Sequence, residues 1–220
     1  MRQFPLCGQN WIAQFIYGFD IAGTFSQKHV FPYSKKRVSH PADMGAIWSD
    51  VEERFCARSR CSGFPKYDHL RGEASDQVSS GWLSPPLPLS PSVRFLSQPD
   101  MRINAAFRFP VLQLDKIRAC DDLKYGRVYH CAADVTPIKL PTWDHISQMF
   151  LKVAGSATDW PFFKADRDSA YKNLPLNPDQ SHLAVVTLRS PDDDLRYGFA
   201  PRTLLFGASA AVQHYNCFPG

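Results

Sequence analysis

The sequence predicts an α+β fold, an antiparallel sheet with helices packed on it, and three observations carry that expectation. Apolar residues recur at helical spacing in Trp11, Ile12, Phe15 and Ile16, in Met44, Ile47, Trp48, Val51 and Phe55, and in Trp143, Ile146, Met149, Phe150 and Val153. Strand-like runs stand after them, first Phe107, Phe109, Val111 and Leu112, then Leu183, Val185, Val186 and Leu188. With 220 residues, 44% of them hydrophobic, the chain can bury a sizeable core, as ordinary globular proteins do.

In order, the first helix is expected to start after Asn10, a suitable N-cap, and to stop at Gly18. Lys35-Lys36-Arg37 reads as solvated surface. Pro41 opens a second helix whose charged residues, Asp50, Glu52, Glu53 and Arg54, lie largely opposite its apolar stripe, with Trp48 as the packing anchor. The stretch 59–80 is polar and shows no clear period. Pro85, Pro86, Pro88, Pro91 and Pro99 then make 85–100 an extended connector, because proline lacks the amide proton that a central strand or a helix interior needs. It is the expected boundary between an N-terminal helical region, 1–84, and a unit spanning 101–220.

Within that unit the strand from Phe107 leads to Lys116, and Val135 to Leu140 forms another short strand. Pro141-Thr142 starts a helix that stops at Gly155, its apolar stripe expected to be core. Phe162 to Asp166 reads as an apolar strand ending in a carboxylate, which places the acid at a sheet rim where a divalent cation can reach it. That strand is expected to lie antiparallel beside the one containing Val185. Pro191-Asp192-Asp193-Asp194 is a turn into Tyr197-Gly198-Phe199, closing a hairpin, with the Asp residues solvated rather than metal-bound. Gly207 introduces a last helix of small residues, Ala208 to Ala211.

A formal charge of +4 and a pI near 8.7 permit a polyanionic partner without demanding one. Six cysteines, at 7, 56, 61, 120, 131 and 217, show no disulfide framework, and the start of the chain has no secretory signal pattern, so reduced thiols and an intracellular setting, nucleus or cytoplasm, are expected. Cys56, Cys61 and His69 fit zinc-ligand spacing poorly. No apolar run approaches the ~20 residues that span a bilayer.

Four ordered stretches are similar to the reverse transcriptases of retroelements. Lys116-Ile117-Arg118-Ala119-Cys120-Asp121-Asp122-Leu123-Lys124 resembles the fingers motif Lys-x-Arg-x-x-x-Asp-x-Arg, with Lys124 replacing the last Arg. Leu140-Pro141-Thr142 with Asp144 and Ile146 resembles the step into the palm, and Asp166 to Ala170-Tyr171 resembles the first catalytic motif. Leu204-Leu205-Phe206-Gly207, running on to Tyr215, is similar to a Leu-Pro-Phe-Gly pattern but has Leu205 and Val212 where that family usually has proline.

The resemblance implies the fingers and part of the palm of a right-hand polymerase, an RNA-directed DNA polymerase working by two-metal nucleotidyl transfer with Mg²⁺. Asp166 would be the catalytic metal ligand. Arg118 and, more weakly, Lys116 would meet the triphosphate of a deoxynucleotide. Tyr171 would wall the sugar, and Phe206 and Gly207 would line the path of the nucleotide and of an RNA or DNA template-primer. For Arg118 the alternative is a surface ion pair with Asp121 or Asp122, for Asp166 a surface carboxylate at a strand end, and for Tyr171 a core aromatic. The family's second carboxylate motif, Tyr-x-Asp-Asp, does not occur in the sequence, so the expectation is a polymerase fragment that is inactive alone. A non-catalytic remnant, nucleic-acid-binding or inert, is the alternative.

Overall fold

The structure, a computed structural model, describes residues 11–25, 43–48, 66–89, 103–133, 142–155 and 168–216. They form α1 (Trp11–Tyr17), β1 (Gly23–Thr24), α2 (Met44–Trp48), α3 (Tyr67–Ser79), β2 (Leu87–Leu89), β3 (Ala105–Gln113), β4 (Lys116–Asp122), β5 (Ala132–Ala133), α4 (Trp143–Ala154), β6 (Val185–Arg189), β7 (Arg196–Phe199) and α5 (Ser209–Asn216), with short 3-10 turns between some of them. The fold is mixed α+β. Its main sheet is five-stranded in the order β2-β7-β6-β3-β4, and β1 and β5 make a separate parallel pair.

Two hairpins build the sheet. In β3–β4 the register runs outward from Gln113 opposite Lys116 to Phe107 opposite Asp122. In β6–β7 the turn is fixed by its own acids: Asp193 accepts the Leu195 amide at 3.0 Å and the Tyr197 hydroxyl at 2.9 Å, and Asp194 pairs with Arg189. The hairpins meet through β3 and β6, which run parallel with Ala105 opposite Val185, so the sheet is not wholly antiparallel as expected. This junction also corrects the expected neighbour of Val185. β6 has β3 on one side and β7 on the other, leaving no edge for a further strand, while Phe163 itself lies outside the described residues.

The proline-rich stretch contributes β2, an edge strand paired with β7 in which Pro88 stands opposite Tyr197. The polar stretch 59–80, which gave no period, holds α3, whose buried residues are Tyr67, Leu70, Ala74 and Gln77. This helix covers the free edge of β4: Glu73 accepts the Ala119 amide at 3.1 Å and His69 Nε2 donates to the Ile117 carbonyl at 3.1 Å. Satisfying these outward-facing groups blocks further strand pairing there.

One core joins residues from both sides of 85–100, among them Phe19, Ile47, Leu70 and Leu83 with Leu123, Val186, Leu188 and Leu204. α1 ends as its sequence indicates, at Gly18 with φ +90°, where any Cβ would sit 2.3 Å from the Asn177 amide nitrogen. The following segment is tied to residues 175–180. Phe19 exchanges backbone hydrogen bonds with Pro175 and Asn177, and the Gln180 side chain accepts the amides of Ile21 and Ala22 at 2.7 and 2.9 Å. Trp48 does anchor α2, stacking at 6.1 Å on His182.

α4 corrects a sequence expectation. Its start is a capping box between Thr142 and His145, but Trp143 is 82% and Met149 59% exposed, and Phe150 is exposed too. The stripe expected to be core is largely on the surface, because periodicity reports an apolar face and not what covers it. Val51, Phe55 and the strand expected at 135–140 lie outside the described residues.

Candidate functional site

Three of the motifs singled out in the sequence meet at the end of β4. Tyr171 sits on a 3-10 turn, Ala170–Asn173, and its ring stands edge-on to Phe206 at 4.6 Å and 89°, with Tyr215 of α5 at 5.2 Å on another side. Burial, and then Tyr215, raise the Tyr171 hydroxyl pKa, so the group is a neutral phenol at any ordinary pH. Phe206 is exposed. Gly207 has φ +95°, a conformation that side chains strain to adopt, and a Cβ on it would lie 3.6 Å from the Asp121 carbonyl oxygen and 3.7 Å from Leu123. The Phe206-Gly207 turn is therefore seated against the Asp121–Leu123 segment, with a half-buried phenol beside it.

Beneath this surface group is a charged network that the sequence reading missed. Arg108, fully buried on β3, donates from Nε and Nη2 to the two carboxylate oxygens of Asp121 at 2.8 and 3.1 Å, and Nη2 also reaches Gln77 Oε1 at 2.9 Å. Burial opposes the Arg108 charge, but Asp121 together with Glu73 and Cys120 outweighs it and the pKa rises. Gln77 in turn donates to Glu73 at 3.4 Å. Lys172, next to Tyr171, is only 8% exposed, and burial lowers its pKa to about 8 against the pull of Asp121. Two acids and two bases from α3, β3, β4 and the 171–172 turn thus nearly balance in charge under the aromatic cluster.

The signal for Arg108 was present: a charge inside Ala105-Ala106-Phe107-Arg108-Phe109, which counting outward from Gln113 and Lys116 sets opposite Asp121. Lys172 had no such signal, because two of its charged neighbours, Glu73 and Arg108, belong to other elements.

The other expected site residues stand differently. Lys116 and Arg118 are exposed on β4, opposite Gln113 and Val111. Strand alternation turns both away from the face carrying Asp121, and Arg118 is three residues, roughly 10 Å, from Asp121 along the strand. Neither touches the Tyr171 cluster through any hydrogen bond or ion pair. The ion pair weighed for Arg118 does not form: Asp121 is engaged by Arg108, and Asp122 accepts the Tyr125 amide at 2.8 Å. Asp166 lies outside the described residues. Among the described residues no three His, Cys, Asp or Glu side chains converge as metal ligands, so the expected Mg²⁺ rests on Asp166 alone. Cys120 is a half-buried thiol, and the buried Cys131 Sγ donates to the carbonyls of Asp43 and Arg127 at 3.3 and 3.7 Å.

No helix among the described residues is long and apolar enough to cross a membrane. In comparisons with known proteins, no family model, no curated protein and no solved structure matches the chain.

Proposed function

We propose that this chain carries the fingers and the N-terminal half of the palm of a retroelement reverse transcriptase, with Tyr171, Phe206 and Gly207 forming part of a deoxynucleotide pocket. One observation supports the reading above others: the Tyr171 ring lies 4.6 Å from Phe206, and Gly207 packs on Asp121 and Leu123, so three stretches matched independently to that family converge. In this reading Tyr171 fills the volume that a ribose 2′-hydroxyl would need. Selection for deoxynucleotides then comes from a clash with the wrong sugar. The exposed Phe206 ring offers a face to a base. Lys116 and Arg118, exposed on β4 and facing away from this cluster, are assigned to the triphosphate by the resemblance alone. Mg²⁺ held through Asp166 would supply activation of the primer hydroxyl and neutralise charge on the leaving phosphates.

The experiment is sugar selection in a chain extended with the Tyr-x-Asp-Asp hairpin of a reverse transcriptase. Tyr171→Ala should raise ribonucleotide incorporation by a factor of tens, the equivalent of roughly 2 kcal/mol at ~1.4 kcal/mol per decade, while deoxynucleotide use falls less. An unchanged ratio of the two in steady-state incorporation would mean that Tyr171 is a packing residue and that the pocket is misassigned.

A further inference from the structure

A concavity that shares no residue with the Tyr171 cluster lies between α3 and the β6–β7 hairpin. Its volume is about 470 Å³, within the ~300–1,000 Å³ typical of small-molecule sites. One face of α3 supplies Tyr67, Arg71 and Val78, and the hairpin supplies Leu188, Tyr197 and Phe199, so the walls are mainly aromatic and aliphatic.

The charges on these walls are unequally engaged. Asp193 is committed to the turn, accepting the Leu195 amide and the Tyr197 hydroxyl. The Asp192 carboxylate and the Arg71 guanidinium also line the cavity, one from the turn and one from the helix, yet neither makes a hydrogen bond or ion pair with a described side chain or with the other. Both residues are exposed, and a ligand of one sign would answer the charge on one wall only. A molecule carrying both a carboxylate and an ammonium on an apolar stem answers both.

We propose that this cavity is a binding site for a zwitterion with a large apolar side chain, of which an aromatic α-amino acid is the fitting class. Arg71 takes the carboxylate with its two-pronged guanidinium, and Asp192 takes the ammonium. The rings of Tyr67, Tyr197 and Phe199 receive the side chain, edge or face. Asp193 fixes the Tyr197 hydroxyl, so that wall is set before a ligand enters.

The test is calorimetric titration of the whole 220-residue chain with L-phenylalanine and L-tryptophan, beside phenethylamine and 3-phenylpropionate, which keep the ring and one charge each. Saturable binding of at least one amino acid is expected, with each one-charge compound at least tenfold weaker. Arg71→Gln should weaken amino-acid binding about tenfold and leave phenethylamine unchanged. Asp192→Asn should weaken it similarly and leave 3-phenylpropionate unchanged, a crossed pattern that damage to the fold would not produce. Ser75→Trp, which fills the cavity from α3, should abolish all of it while the circular dichroism spectrum stays the same. Absence of saturable heat with either amino acid up to millimolar concentration overturns the proposal. So does phenethylamine or 3-phenylpropionate binding as tightly as the amino acids.

Discussion

A lysine that is 8% exposed, with its pKa lowered by burial to about 8, links folding to alkaline pH. In the unfolded chain the same amine titrates near 10.5, so between the two values the unfolded state binds more protons and stability rises with pH. The contribution is complete above the unfolded value and is lost as pH falls through about 8, with a ceiling of about 3 kcal/mol. Lys172→Met keeps the stem and removes the ammonium. Urea midpoints at pH 7.5 and 9.5 should therefore differ less in the variant than in the wild type, and an identical pH slope would rule out a buried ammonium. Arg108 makes the complementary case. Arg108→Ala strands Asp121 in the interior and should cost roughly 3–5 kcal/mol by urea unfolding, whereas Arg108→Met combined with Asp121→Leu should recover most of that. If the double variant were no better than the single one, the guanidinium would be needed for something besides its carboxylate. At this scale the sequence disclosed the aromatic positions better than the charged ones. Tyr171 and Phe206 stood in recognisable surroundings, while Lys172 acquires its character from burial and then from Asp121, Arg108 and Glu73 on β4, β3 and α3, whose approach no local pattern encodes.

Among the elements, the segment after α1 depends on one side chain. Gln180 accepts two amides, Ile21 and Ala22, and donates to the Ala22 carbonyl at 3.2 Å. Gln180→Ala leaves those amides buried without partners, at about 1–3 kcal/mol each before any relaxation. Hydrogen exchange at Ile21 and Ala22 should accelerate by at least tenfold in the variant while β6 amides keep their protection. Uniform acceleration throughout would mean that the segment cannot open separately. The hairpin 185–199 and the helices starting at Trp11 and Ser209 were legible because turn residues and glycines mark their ends. α3 was not, since its inward positions include Ala74 and Gln77, which give little apolar contrast, and Gly72 interrupts the pattern. α4 is the opposite case: its clear apolar stripe predicts core although much of it faces outward.

For the whole molecule, the α+β class followed from helical periods and strand runs, whereas the parallel contact of β3 with β6 did not, because pairing across that distance leaves no mark on either strand. On the proposed polymerase reading, the expected result for the molecule in solution is no primer extension. With no Tyr-x-Asp-Asp among its 220 residues, the purified chain should not extend a primer with Mg²⁺ and deoxynucleotides. Extension that vanished in Asp166→Ala would show that the carboxylate set is completed from elsewhere in the sequence. The contact between His214 and Asp20 has a further consequence, for how the chain is made. His214, buried and with its pKa lowered by that burial to about 4, donates to the Asp20 carbonyl at 2.8 Å across a separation of 194 residues, and its ring meets those of Phe19 and Phe25. During synthesis at ~5–20 residues per second, roughly 10–40 s pass between the emergence of these partners from the ribosome. Through that interval Phe19 and Phe25 lack the ring that His214 lays against them, so the yield of folded protein should be sensitive to translation speed.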